Sequence, residues 1–257
     1  MVKKALKWTY LMLILFFLYA PIVVMIALSF NASRSSAVWT GFTFDWYKDL
    51  LGDAKIMDAL KVTLSVAVIA TAVSTVLGTL AAIGIHGMKK GWAGWILNVS
   101  YLPMTMPDIV TGVSIMMLFV VLKMERGYWT MVMAHIAFDT PYVLFAVLPK
   151  LRQMDVNTYE AALDLGCTPM QAVQKVILPE ITPGVITGAL LSFTMSLDDF
   201  VISYFTSYTD QNLSMVIYSA ARKGIEPSIY ALSTLMFIAV LVLLLIVNKR
   251  SSLEDVS

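Results

Sequence analysis

Residues Tyr159–Pro179 read YEAALDLGCTPMQAVQKVILP. Glu160, Ala161, Ala162 and Leu163 favour helix, and Gly166 supplies a permissive C-cap. Thr168 is a suitable N-cap, and Pro169 suits the first position of a second helix. The stretch therefore reads as a helix, a tight turn and a second helix, with Pro179 ending the unit. Such a unit has a mechanical use. A short, rigid surface helix with small residues at Ala161 and Ala162 can lie in a groove of another protein and pass its motion on. On either side of the loop 149–180 that carries the unit lie long apolar runs, Tyr128–Leu148 before it and Ile181–Phe205 after it.

The whole chain shares that character. Of 257 residues, 59% are hydrophobic and 14% charged, against usual shares of roughly 45–50% and 25% in soluble domains. A bilayer core of roughly 30 Å needs about 20 apolar helical residues, and six runs meet that length: 8–30, 60–85, 95–122, 128–148, 181–205 and 229–247. The sequence thus predicts an all-α membrane protein with six transmembrane helices in one domain spanning 1–257. The first run follows Lys3, Lys4 and Lys7, but it is too long for a signal peptide core and shows no small-residue cleavage site. It reads as a retained anchor. The net charge of +1 gives no field to attract nucleic acid, and a single cysteine excludes an internal disulfide and a thiolate metal cluster.

Orientation follows from Lys and Arg near the span ends. One side collects Lys3, Lys4, Lys7, Lys89, Lys90, Lys150, Arg152, Lys175, Lys249 and Arg250. The other carries Arg34, Lys48, Lys55, Lys61, Lys123, Arg126, Arg222 and Lys223, diluted by acids. The modest bias places both termini, and the 149–180 loop, in the cytoplasm of a cell with a multi-pass inner membrane. The external segment Asn31–Ala59 carries aromatic residues at Phe42, Phe44, Trp46 and Tyr47 and reads as a short amphipathic element along the membrane surface.

Glu160-Ala161-Ala162, three residues, Gly166, and then Ile177-x-Pro179 resembles the EAA loop of ABC importer permeases, in spacing and in its place before the penultimate span. The resemblance extends over nearly the whole chain. The opening 8–31, the aromatic segment Phe42–Tyr47, Met106–Val110, the His135/Pro141 stretch and Ser196–Asp199 together resemble the spermidine/putrescine permeases of PotC type. It implies a type I importer permease fold with a cytoplasmic coupling helix formed around Glu160, Ala161, Ala162, Gly166, Ile177 and Pro179. It also implies a heterodimer with a homologous permease, two ATPase subunits that bind ATP and Mg, and an extracytoplasmic polyamine-binding protein.

Asp108, Asp139, Asp198 and Asp199 lie inside apolar runs, where a carboxylate costs roughly 2.5–3.5 kcal/mol on insertion scales and is a functional candidate by default. Counted at 1.5 Å per residue from the cytoplasmic ends, Asp108 and Asp198 lie at a similar depth of about 20 Å. Pro107 breaks the third span locally, which is tolerable only where the freed backbone is buried in protein or faces a wet cavity. A polyamine path needs spaced carboxylates for the ammonium groups and apolar or aromatic walls for the methylenes. Asp108, Asp198, Asp199 and Tyr204 suit that, and Trp46 offers a cation–π face outside or, alternatively, an interfacial anchor. Neighbouring Asp198 and Asp199 would lie about 100° apart on a helix, so one of them is expected to cap a helix end or carry a proton instead. His135 and Asp139, at i and i+4, read as a structural polar pair packed against Pro141. The 17 methionines read as packing residues.

Neither a Walker A loop, a Ser/His/Asp arrangement nor metal-ligand spacing occurs, so the chain is expected to be a permease without catalysis or cofactor of its own, translocating polyamines by alternating access. The same fold carrying another solute is the first alternative, although no basic residue lies deep in the spans to favour an anion. A proton-coupled secondary transporter is the second, and it would leave the 149–180 loop without a purpose. A scaffold protein is the third.

Overall fold

The computed structural model describes residues 2–223 and 226–254. Its described residues are helical throughout, apart from loops and a single isolated bridge between Asn31 and Phe42. The chain divides into two compact units, residues 1–57 with 217–257, and Asp58–Val216.

The first unit holds α1 (Val2–Leu28), α2 (Asp45–Gly52) and α12 (Pro227–Glu254), with α12 packed on both of the others. α1 is apolar, and its described side chains are largely exposed. Lys3, Lys4, Lys249 and Arg250, which contributed to the orientation, lie outside the residues whose side chains are described. The segment between α1 and α2 is organised by Asn31. Its amide donates to the Val38 carbonyl (2.9 Å) and its Oδ1 accepts from the Ser33 and Thr40 backbones (3.2 and 3.1 Å). Phe30 stacks on Phe42 at 5.1 Å and meets Phe44 edge-on at 5.5 Å. The expected short amphipathic element is α2, which buries Leu50.

The second unit is built around α6 (Tyr128–Gln153), which is buried on most faces. It packs most extensively on α9 (Leu178–Asp198). Gly184 and Gly188 make this approach: a Cβ at Gly188 would stand 3.0 Å from Val143 Cα, and one at Gly184 would stand 3.1 Å from the Ala146 carbonyl. This is the small-xxx-small pattern by which membrane helices pack without a hydrophobic driving force. Against the same residue of α6, a Cβ at Gly78 of α3 (Ala54–His86) would lie 2.6 Å from Val143 Cβ. Val143 is thus wedged between two glycines. At one end of the unit Ile85, Leu148, Leu151, Ile177 and Ile181 form a core, against which Ala93, Ile96, Leu97, Tyr159 and Val173 pack. The loop at Lys89–Lys90, the end of α6 with Lys150 and Arg152, and the segment with Lys175 therefore share one end, as the charge bias required.

Three sequence expectations change. The run 95–122 is not one continuous helix. α4 (Lys90–Thr105) and α5 (Asp108–Val121) meet at 110°, because Met106 and Pro107 are extended, at ψ 149° and 136°, and Pro107 has no N–H for the ladder. The run 181–205 ends early. α9 stops at Asp198, and α10 (Val201–Thr206) follows after Asp199 turns extended at ψ 126°. Pro179 does not end the loop's second helix. α8 (Pro169–Ala172) passes through a π-helical turn, Val173–Ile177, directly into α9, and that wider turn accommodates the proline ring inside a continuous helix. Among the described residues, four helices are long and apolar enough to cross a membrane, the bent pair makes up to a fifth, and Pro227–Val242 is a shorter apolar helix. All-α architecture stands, and two of the six apolar runs, 95–122 and 181–205, are broken rather than continuous helices.

Candidate functional site

Both helix breaks of the second unit carry carboxylates. Asp108 opens α5, where the aligned peptide dipoles stabilise a negative charge. Asp198 closes α9. The half-helices that follow the breaks pack on one another: Gly112, one turn into α5, lies where a Cβ would meet Phe205 at 3.0 Å and the Val201 carbonyl at 3.4 Å. Asp108 is four residues from that contact on one side, and Asp198 three from Val201 on the other. Both breaks therefore lie within about a helical turn of a common point. Asp108 and Asp198 are exposed. Around them stand aromatic rings. Phe200 and Tyr204 are 5.4 Å apart, Tyr204 and Phe205 5.5 Å, and Tyr142 of α6 packs against the cluster that holds Phe119 of α5 and Ile202 of α10. Tyr142 was not singled out from the sequence. Its place one turn beyond Phe138, which it contacts at 5.5 Å, was the available signal.

Asp199 behaves differently from its neighbour. Its Oδ1 accepts from Ile202 N (3.1 Å), and its Oδ2 accepts from Ser203 N (2.8 Å) and Ser203 Oγ (2.9 Å). It caps α10, as one of the pair was expected to do. His135 Nε2 approaches the same Oδ2 at 3.4 Å, with side chains of both nearly buried. His135 and Asp139 are not the directly bonded pair that their spacing allowed. Each bonds Ser196 instead, His135 Nδ1 at 2.9 Å and Asp139 Oδ2 at 2.6 Å, because the serine of α9 lies between the two rungs of α6. Asp139 also accepts from Ser192, which in turn bonds Ser74 of α3 at 2.8 Å. A buried polar chain thus ties α3, α6, α9 and α10 together, where unpaired groups would be costly.

Trp46 belongs to the other unit. Its indole N–H donates to the Asn31 carbonyl at 2.6 Å. One face still lines a cleft of about 490 Å³ with Arg34, Asp49, Asp53, Lys223, Glu226 and Ser228.

The residues of the 149–180 loop separate by face. In α7 (Val156–Asp164) Glu160 and Ala161 are exposed, while Ala162 is buried against its own chain and Ile177 joins the core. Asp155 caps α7 by accepting from Asn157 N at 3.0 Å. At its far end Cys167 N donates to Ala162 O (3.1 Å) and Gly166 N to Leu163 O (2.9 Å). This is the Schellman pattern, with Gly166 left-handed at φ +87°. Thr168 and Gln171 then close a reciprocal capping box, with Pro169 following the cap. Leu165, beside the turn, is 87% exposed, and Met170 66%. Sequence reading passed over both, since neither interrupts a helical pattern. An apolar side chain held on a cap was the missed signal.

Residues 74–249 match the family described as binding-protein-dependent transport system inner membrane component. The chain is 40% identical over 233 residues to the putrescine transport system permease protein PotI of Escherichia coli strain K12, covering 87% of this chain and 83% of the relative. It is 34% identical over 246 residues to the spermidine/putrescine transport system permease protein PotC of the same strain, covering 95% and 93%. A crystal structure of a bacterial ABC transporter that imports alginate superposes on 96% of this chain and 93% of that one, with TM-score 0.70 and 18% identity. The broken helices, the capped surface helix ahead of the penultimate long helix and these likenesses converge: the chain belongs to the inner-membrane permease family of binding-protein-dependent ABC importers.

Proposed function

We propose that this chain is one of two homologous permease subunits in an importer of polyamines, spermidine or putrescine. Cation transport is supported by one observation above the others: two broken helices meet, each with an exposed carboxylate at its break and aromatic rings nearby. Discontinuous helices mark substrate sites in several transporter folds, because freed backbone groups then line a cavity. Here the acidic side chains at the breaks set the sign of the site, and Tyr204, 54% exposed, with Tyr142, supplies walls for methylenes and faces for ammonium groups. Asp108 and Asp198 line the path. Asp199 supports it, and Trp46 shapes an external cleft near which the loaded binding protein docks.

Energy comes from outside the chain. Two ATPase subunits hold ATP and Mg, and the permease itself carries neither catalysis nor cofactor. Each ATPase receives the exposed face of an α7 helix, Glu160 and Ala161, with Gly166 fixing the turn and Ala162, Ile177 and Pro179 joining α7 to α9. Movement of α7 then reaches α9, and through the polar chain α6 and α3, so that the path opens alternately to each side. Both termini are cytoplasmic, as the basic residues gathered at the α7 end of the second unit support.

The test is uptake of radiolabelled spermidine and putrescine in cells lacking their own polyamine importers, supplied with the complete importer carrying Asp108→Asn or Asp198→Asn. Each charge-assisted contact is worth about 1.5–3 kcal/mol, so uptake should fall about 10- to 100-fold while assembly is retained. Undiminished uptake in both variants would remove the carboxylates from the path. No uptake of either polyamine by the unaltered importer would point to another solute for this permease.

A further inference from the structure

Adjacent carboxylates at one helix break have two equivalent-looking oxygen pairs to offer a cation, yet the chain disposes of them unequally. α9 ends at Asp198, and a helix end leaves carbonyls without partners. The start of α11 (Leu213–Lys223), with the residue before it, supplies those partners: Asn212 Nδ2 donates to the Asp199 carbonyl at 2.8 Å, and Ser214 Oγ to the Asp198 carbonyl at 3.1 Å. The second Asn212 N–H goes to Ser203 Oγ at 2.8 Å, and its Oδ1 accepts from Met215 N at 2.9 Å, capping α11. Asn212, 2% exposed, is therefore fully committed. Thr63 Oγ1 of α3 accepts from Leu213 N at 2.8 Å and fixes the segment to the bundle.

With the backbone of the break pinned, the side chains divide. Asp199 turns inward, where every oxygen has a donor: Ile202 N, Ser203 N and Ser203 Oγ, with His135 Nε2 alongside. His135 is itself held, since Nδ1 lies 2.9 Å from Ser196 Oγ and Nε2 2.9 Å from Ser203 Oγ. Three donors and the imidazole, around a side chain only 9% exposed, leave Asp199 little access to an ammonium ion. Asp198, one residue earlier, is exposed.

We infer that His135, together with Asn212, is a positioning residue that locks Asp199 inside the bundle and so presents Asp198 alone to the translocation path. The inference deepens the polyamine reading and rests on it for the identity of the cation, whereas the division of labour between the two carboxylates is a matter of geometry. It assigns His135 a role through Asp198 and no contact with substrate.

The test uses the complete importer purified into lipid nanodiscs. A water-soluble carbodiimide with a small amine modifies accessible carboxyls, and peptide masses report which have reacted. Asp198 should react at least about tenfold faster than Asp199, the tenfold being the ratio expected when one of two like groups is buried and hydrogen-bonded. His135→Leu should raise the Asp199 rate toward that of Asp198. His135→Gln, whose amide nitrogen reaches the place of Nε2, should keep Asp199 protected. A residue needed only for folding would lower the yield of both variants without changing which carboxyl reacts. Where His135→Leu does not assemble, Ser203→Ala, which removes the hydroxyl that donates to Asp199 Oδ2, provides a second release. Equal rates for the two carboxyls in the unaltered importer, an unreactive Asp198, or an Asp199 rate unmoved by the release variants would each overturn the inference. Saturating spermidine should slow reaction at Asp198 only. If the contrast between the carboxyls holds but spermidine protects neither, the locking stands and the polyamine reading falls.

Discussion

Gly166 gives the sharpest test of the coupling loop, because its requirement can be separated from packing. Its φ of +87° lies in the left-handed region, and a Cβ placed there would meet nothing within 4 Å. Any penalty of substitution is then conformational. An L-residue held left-handed costs roughly 1–2 kcal/mol, or about a 5- to 30-fold change in the ratio of native turn to alternatives. If the native turn is lost, the bonds from Gly166 N to Leu163 O and Cys167 N to Ala162 O go with it. Docking of an ATPase selects the native turn, so its apparent affinity falls by up to the fraction lost.

The order of substitutions carries the argument. Asn, which bonds locally and visits this region, should cost least, Ala should lose up to about 5- to 30-fold in affinity, and β-branched Val should lose most. The assay is retention of the ATPase by nanodisc-embedded permease at graded ATPase concentration, with polyamine-dependent ATP hydrolysis read alongside. Equal loss for Asn, Ala and Val would refute the reasoning, since it would mean that space rather than backbone angle is what Gly166 provides. No loss for Val would remove the turn from coupling altogether.

Other expectations concern single contacts. Gly188→Val inserts a side chain where a Cβ already stands 3.0 Å from Val143 Cα; it should destabilise by about 1–3 kcal/mol, measured as loss of folded permease on mild heating in detergent, and Val143→Ala should restore part of that. Leu165→Asp leaves the permease fold intact, because the side chain is 87% exposed, but should weaken ATPase retention about tenfold if that apolar side chain is an anchor at the interface; unchanged retention would place the contact on Glu160 and Ala161 alone. Trp46→Phe removes the N–H bonded to Asn31 O and should cost about 1 kcal/mol in the outer segment, seen as faster proteolysis between α1 and α2 with uptake reduced less than by Asp198→Asn.

What the sequence made legible follows from how local each signal was. The loop at Glu160–Pro169 was readable because its caps are written within three residues of one another: Gly166 after α7, Thr168 with Gln171 around Pro169. The apolar runs were readable because a bilayer demands length. What stayed hidden depended on partners far away in the chain. Nothing near Asp198 says that the run 181–205 must stop there, since the residues that hold the break open, His135 and Asn212, lie 61 and 13 positions from the groups they bond. The same distance hid the partner of His135: spacing along α6 offered Asp139, whereas serines of α9 and α10 took both ring nitrogens.

Proline readings failed and succeeded for one reason. A proline removes one N–H and clashes with one carbonyl, but the chain's response depends on what surrounds it. At Pro107 the preceding Met106 is extended, and the helix turns by 110°. At Pro179 a π turn precedes the ring and the helix runs on for 20 further residues or so. Pro141 lies buried within an unbroken α6, where neighbouring helices can satisfy the freed carbonyl. The difference has a functional logic. On the proposed coupling, the uninterrupted helix through Pro179 would carry motion from α7 into the bundle, whereas the bend at Pro107 and the break at Asp199 would give it two places to yield, beside the exposed Asp108 and Asp198. A permease that couples a surface helix to a cation path would need stiffness between the two and freedom at the path itself, and the proposed roles assign them that way.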